Sequence, residues 1–119
     1  AEVRGTGGDT RVRHDLLARP LRRRAGAPSI LLAHSPEIYR HAAASGYDFM
    51  LSGHTHAGQI CLPGRVHIQG NAKCPRYMIY GPWRHGGMQG YTSAGTGSCG
   101  VPARIFCPPE VTLHHLHSL

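Results

Sequence analysis

Acidic residues are scarce in this sequence: 6 Asp and Glu stand against 13 Lys and Arg, leaving a formal charge of +7. The imbalance favours anionic partners such as phosphate esters, nucleic acid or acidic lipid headgroups. No CxxC pair occurs among Cys61, Cys74, Cys99 and Cys107, so no zinc ribbon is implied. Small buried thiols in a reducing compartment are expected, with two disulfides in an exported domain as the alternative. No apolar run approaches the roughly 18 residues that a membrane span needs. A signal-peptide pattern is also missing, and a cytoplasmic chain is the expectation. The apolar fraction, 40%, is too high for a disordered chain.

Glycine, proline and histidine are plentiful instead: 16, 9 and 10 in 119 residues. This length suits one small domain. The glycines and prolines predict many turns and short strands. Histidine is the commonest metal ligand.

Residues 1–28 read as a basic, poorly ordered N-terminal segment. Arg11, Arg13, Arg19, Arg22, Arg23 and Arg24 crowd it, and Pro20 limits any turn of helix at Asp15–Ala18. The arginine run reads first as a solvated face, and otherwise as an electrostatic funnel for a phosphorylated ligand. It lacks interleaved aromatics, so a specific nucleic-acid partner is not expected.

Order begins at residue 29 and extends to 119. Ile30–Ala33 is an apolar run typical of a strand buried on both faces. Ser35 suits an N-cap, Pro36 the first helical position and Glu37 the helix N-terminus. A helix from Pro36 to about Ser45 is predicted, stopped by Gly46. Tyr47–Leu51 reads as a second buried strand, parallel to the first. Further on, Val66–Gln69, Tyr77–Tyr80, Met88–Ser93, Arg104–Phe106 and Val111–Leu116 read as strands of a largely antiparallel meander. The fold class is therefore α/β: one βαβ unit extended by a β-rich C-terminal section.

The chemistry concentrates in Ser52-Gly53-His54-Thr55-His56-Ala57-Gly58-Gln59. In extended backbone, His54 and His56 would share a face roughly 6–7 Å apart. Gly53 and Gly58 would let the chain turn tightly on either side. His34 stands just past the end of the preceding strand, as His54 does past its own. Ligands of open α/β sheets bind at such carboxyl ends. Three histidines placed in this way favour a metal site over three structural rings.

Ile30-Leu31-Leu32-Ala33-His34-Ser35-Pro36-Glu37 followed by Leu51 to Gln59 resembles the last two metal-binding motifs of calcineurin-like metallophosphoesterases. The similarity is greatest to the bacterial subgroup with a GHTHGGQ signature, in which a glycine takes the place of Ala57. Ser93–Ser98 and Phe106–Val111 also resemble that subgroup, so the likeness covers roughly residues 29–116. It implies half of a metallophosphatase αββα sandwich and a phosphoesterase acting on phosphomonoesters, phosphodiesters or pyrophosphates through a metal-bound hydroxide. By analogy, His34 and His54 bind one divalent ion and His56 a second, the metal being Mn, Fe or Zn. Gly95 and Gly97 are the expected substrate-binding positions. The expected partner is a phosphate ester, including membrane-lipid or nucleotide-lipid substrates.

The family's N-terminal motifs, DxH, GD and GNHD or GNHE, are not found. Asp9 lies too close to His34, and Asn71 is followed by Ala72 rather than His. No catalytic residue is identified, and the chain reads as an incomplete domain. The alternative is an inactive metal-binding remnant. Strands normally buried on both sides would then be exposed and promote self-association. Gly95–Gly100 matches GxGxxG but is followed by Pro102, which speaks against a dinucleotide site. His114, His115 and His117 read as solvated rings, Trp83-Arg84-His85 as a surface loop, and Cys61 as a weak ligand candidate.

Overall fold

The computed structural model of the chain describes residues 2–5, 26–68 and 72–117. The arginine run, the Asp15–Ala18 turn, Asp9, Gln69 and Asn71 lie outside them. The elements are β1 (Glu2–Gly5), β2 (Ser29–Ala33), α1 (Tyr39–Ala44), β3 (Phe49–Ser52), β4 (Cys61–Leu62), β5 (Val66–His67), β6 (Gly81–His85) and β7 (Met88–Thr92). The main sheet has the order β1-β2-β3-β7-β6, parallel except for the edge strand β6. β4 and β5 form a separate antiparallel pair. The architecture is α/β, a mostly parallel sheet with antiparallel strands appended. No helix among the described residues is long and apolar enough to cross a membrane.

The βαβ unit forms where the local signals place it. Ser35 accepts a hydrogen bond from the Glu37 amide, and Pro36 opens a 3-10 turn, Pro36–Ile38, that leads into α1. Gly46, at φ 75, turns the chain out of the helix toward β3. The expected single helix is thus a 3-10 turn plus a short α-helix. Leu31 pairs with Met50 in the ladder, and both are fully buried. They pack with Ile38, Tyr39, Ala42, Met78, Trp83 and Met88 on the face that α1 covers.

Burial of β2 and β3 on both faces was expected, and the structure bears this out for Ile30 but corrects it for the other apolar residues facing away from α1. Strand side chains alternate between faces. On the face away from α1, Leu32 is 37% exposed, and Phe49 and Leu51 are half-buried. The C-terminal segment covers part of that face: the His114 ring lies 4.9 Å from Tyr91 and 6.0 Å from Phe49.

Elsewhere, five expectations change. Trp83-Arg84-His85 belongs to β6 rather than to a loop. Gly86-Gly87 closes a tight hairpin, and Pro82 is tolerated because β6 is an edge strand. Tyr77–Tyr80 is not a strand: Arg76–Met78 forms a 3-10 turn that buries Met78 and Ile79. Arg104–Phe106 contributes only one bridge, Ile60 to Ile105, and Val111–Leu116 joins no ladder. Glu2–Gly5 is a strand within a segment in which the sequence suggested none.

Candidate metal centre

Strand register sets the site. Ala33 is opposite Ser52, and Ser52 is opposite Thr92. The segments that follow, starting at His34, Gly53 and Ser93, therefore leave the sheet side by side at the carboxyl ends of β2, β3 and β7. Gly53 N–H donates to the His34 carbonyl at 3.2 Å, and Ser93 N–H donates to the Ser52 carbonyl at 2.8 Å. Beneath this rim, the Ser52 and Thr92 hydroxyls lie 3.0 Å apart, and the Trp83 indole N–H donates to Thr92 Oγ1 at 2.9 Å.

His34 and His54 come together: Nε2 of the first is 2.8 Å from Nδ1 of the second, with ring centroids 4.4 Å apart. His56 is not part of that contact. Its Nδ1 is buried and has no hydrogen-bond partner. Among the described residues no group of three or more His, Cys, Asp or Glu converges. The backbone is not extended as expected, because His54, His56, Ala57 and Gln59 adopt left-handed φ of 69, 49, 52 and 54°. Strand alternation therefore does not orient the two rings of the HxH pair.

Such a loop needs outside support, and Thr55, Gln59 and Arg104, to which the sequence alone assigned no role, provide it. Thr55, buried, donates its hydroxyl to the Ile79 carbonyl at 2.7 Å and accepts from Ala57 N–H. Gln59 donates to the carbonyls of Cys99 and Val101 at 3.0 and 2.8 Å, and accepts from Cys99 N–H at 2.6 Å. Arg104 reaches the carbonyls of His56 and Ala94 at 3.2 Å each, Cys107 at 2.7 Å, and Gly97. One guanidinium thus ties the histidine loop to the loop beyond β7. No local pattern signals the partners of Gln59 or the His56 carbonyl that Arg104 reaches, since those contacts span 40 residues or more.

Gly95 and Gly97 lie on the same rim. The Gly95 carbonyl accepts from Glu110 N–H and the Gly97 carbonyl from Arg104. A methyl group at either position would meet nothing within 4 Å. Cys61 turns its thiol to the Ala57 carbonyl at 3.2 Å, and burial pushes its pKa up. A neutral thiol engaged in this way is a poor ligand. Beside His56 is an open pocket of about 430 Å³, walled by Gln59, Ile60, Ile68, Cys99 and Val101.

The chain is similar to known proteins over about three quarters of its length. A metallophosphoesterase of Helicobacter pylori is 39% identical over 92 residues, which are 76% of this chain and 24% of that protein. The metallophosphoesterase YkoQ of Bacillus subtilis is 39% identical over 88 residues, 73% of this chain and 33% of YkoQ. The phosphodiesterase YaeI of Escherichia coli is 36% identical over 96 residues, 77% of this chain and 33% of YaeI. The chain spans between a quarter and a third of the length of these relatives. No family model and no solved structure matches it.

Proposed function

Since the chain belongs to the calcineurin-like metallophosphoesterases, as part of their domain, we propose that it supplies the histidine side of a site for metal-dependent phosphate-ester hydrolysis. The observation that carries this is the 2.8 Å approach of His34 Nε2 to His54 Nδ1 at the carboxyl rim of the sheet. The two ring nitrogens face each other closely enough that His34 and His54 would together hold one divalent cation. The orphaned, buried Nδ1 of His56 fits a second ligand position. Imidazole donors suit Zn, Fe or Mn in mixed nitrogen and oxygen surroundings. A divalent cation supplies Lewis acidity toward a phosphoryl oxygen and acidifies water.

The chain's own residues hold and shield. His34 and His54 would present ring nitrogens to the ion. Gln59 and Arg104 fix the loop that carries His56. Ile60, Ile68 and Val101 line a pocket that takes the less polar part of an ester. The net positive charge draws the anionic substrate. Carboxylate ligands and proton-transfer groups would come from the larger part of the domain that the relatives possess and this chain does not span.

A second reading, metal binding without turnover, is favoured for the chain by itself because no cluster of three or more donors converges among the described residues. Stoichiometry and turnover separate the two. Titration calorimetry with Mn²⁺ and Zn²⁺ should detect binding that His34→Ala or His54→Ala weakens by more than about tenfold. Cleavage of bis-p-nitrophenyl phosphate should require two ions. Binding of one ion with no cleavage supports the second reading, and affinity unchanged in the double variant overturns both.

A further inference from the structure

All four cysteines are thiols, and two of them meet inside the fold. Cys61 and Cys107 are 3% and 2% exposed and share a small apolar cluster with Ala57 and Ala94. Their sulfurs converge on one peptide oxygen, that of Ala57, at 3.2 Å from Cys61 and 3.7 Å from Cys107. Burial first, and then the neighbouring Cys107 thiol, push the Cys61 thiol above its ordinary pKa. Cys107 Sγ lies 3.2 Å from the His56 carbonyl as well.

The backbone delivers them to each other. Cys61 N–H donates to the Ile105 carbonyl at 2.9 Å, and Ile105 N–H donates to the Gln59 carbonyl at 3.1 Å. After this bridge the chain does not run on as a strand. Phe106, 57% exposed, adopts a left-handed φ of 50°. A bulky residue in that conformation is a genuine outlier, and here its own packing gives it no compensation. What the turn achieves is the inward return of Cys107 to Cys61. The other thiols stand apart from this arrangement: Cys99 is exposed, and Cys74 packs against the α1 core.

We propose that Cys61 and Cys107 are a redox modification site, closing a reversible disulfide that clips the C-terminal loop to the histidine loop. The oxidant is a low-molecular-weight disulfide. A cysteine sulfur that transient opening of the C-terminal loop exposes to water attacks it as its thiolate, breaking the S–S bond and expelling a small thiol. The second cysteine then displaces the other half from the mixed disulfide, forming the Cys61–Cys107 bond. The protein loses two electrons and two protons, and the small disulfide becomes two thiols. The bond replaces both thiol donors to the His56 and Ala57 carbonyls with a covalent tie at the same place. This assignment does not depend on the chain binding metal or cleaving esters.

The test is peptide mapping of the full chain after incubation with oxidised glutathione, with free thiols trapped by N-ethylmaleimide. The native protein should yield one internal disulfide, Cys61 to Cys107, that dithiothreitol reverses. The same treatment in guanidinium should scatter the pairing among all four cysteines. Cys99→Ser should leave the native product unchanged, whereas Cys61→Ser and Cys107→Ser should each abolish it. Native protein with both buried cysteines alkylated, carrying only glutathione adducts, or linked through Cys74 or Cys99 would overturn the assignment. The wild-type map alone decides the matter if a variant fails to fold.

Discussion

The amide of Gly53 donates to the carbonyl of His34 across 3.2 Å, one rung beyond the last paired residues of β2 and β3. This bond holds the two histidine-bearing segments in register, and it uses the backbone rather than any special freedom of glycine. A Cβ at Gly53 would meet only that carbonyl oxygen, at 4.0 Å, which is an ordinary contact. Gly58 differs, because its φ of 84° is left-handed. Gly53→Ala should therefore change stability by less than about 0.5 kcal/mol, and Gly58→Ala should cost about 1–2 kcal/mol. Urea denaturation of both variants checks the contrast. Equal costs would mean that the turn out of β3 depends on Gly53 after all.

Ala57 occupies the position where the resembling subgroup has glycine, and its φ of 52° explains why glycine suits it. Two effects compete in Ala57→Gly. Relief of the left-handed backbone is worth about 1–2 kcal/mol. Against it stand about 0.8 kcal/mol for the buried methyl and about 0.5–1 kcal/mol for the freer unfolded chain. The net change should lie within about 0.8 kcal/mol of zero, whereas a buried alanine in ordinary backbone would lose clearly more. A loss above about 1.5 kcal/mol by chemical denaturation would contradict the balance.

How much was legible follows from where each signal resides. Ile30–Ala33, Ser35-Pro36-Glu37 and Gly46 act on their immediate neighbours, so the βαβ unit and the strand-end positions of His34 and His54 could be read directly. Gln59 acts on carbonyls 40 residues away or more and Arg104 on that of His56, 48 residues away, and nothing near them announces those partners. Gly81-Pro82 imitates a loop signal, yet an edge strand accommodates both residues, and this concealed β6. The HxH pair was recognisable as chemistry, but its geometry was not, because the left-handed backbone of His54 and His56 overrides strand alternation.

Trp83 and Gly90 are paired across β6 and β7, and the indole lies where a side chain on residue 90 would be. A Cβ at Gly90 would come within 2.3 Å of the ring. The buried indole is also held by Thr92, so it cannot swing aside without losing a hydrogen bond. Gly90→Ala should cost about 1–3 kcal/mol by overpacking. In a Trp83→Leu background the same substitution should cost little, giving a coupling energy of at least about 1 kcal/mol in a double-mutant cycle. Additive costs would show that the clash relaxes elsewhere.

Glu110 accepts hydrogen bonds from Tyr91 at 2.6 Å, Thr112 at 2.6 Å and Tyr80 at 2.7 Å, and so moors the C-terminal segment to the sheet. Burial by itself would raise its pKa, but the hydrogen bonds from Thr112, Tyr91 and Tyr80 outweigh it and hold the carboxyl below its ordinary value. A depressed carboxyl contributes stability that is complete above the unfolded value, about 4.3, and is lost as pH falls through the lower folded value. The phenols act in the opposite direction. Hydrogen bonding to Glu110 raises Tyr80, and burial followed by Glu110 raises Tyr91. Their contribution is complete below about pH 10 and is lost as pH rises through the folded values. Glu110→Gln should cost about 1–2 kcal/mol near neutral pH, as expected for hydrogen bonds to a charged acceptor. The difference from wild type should shrink as pH falls from about 5 to about 3, because protonation disables the wild-type node there too. Urea titrations of both proteins across that range measure it directly. A gap that stays constant down to about pH 3 would mean that charge on Glu110 contributes nothing and that its oxygens serve only as neutral acceptors.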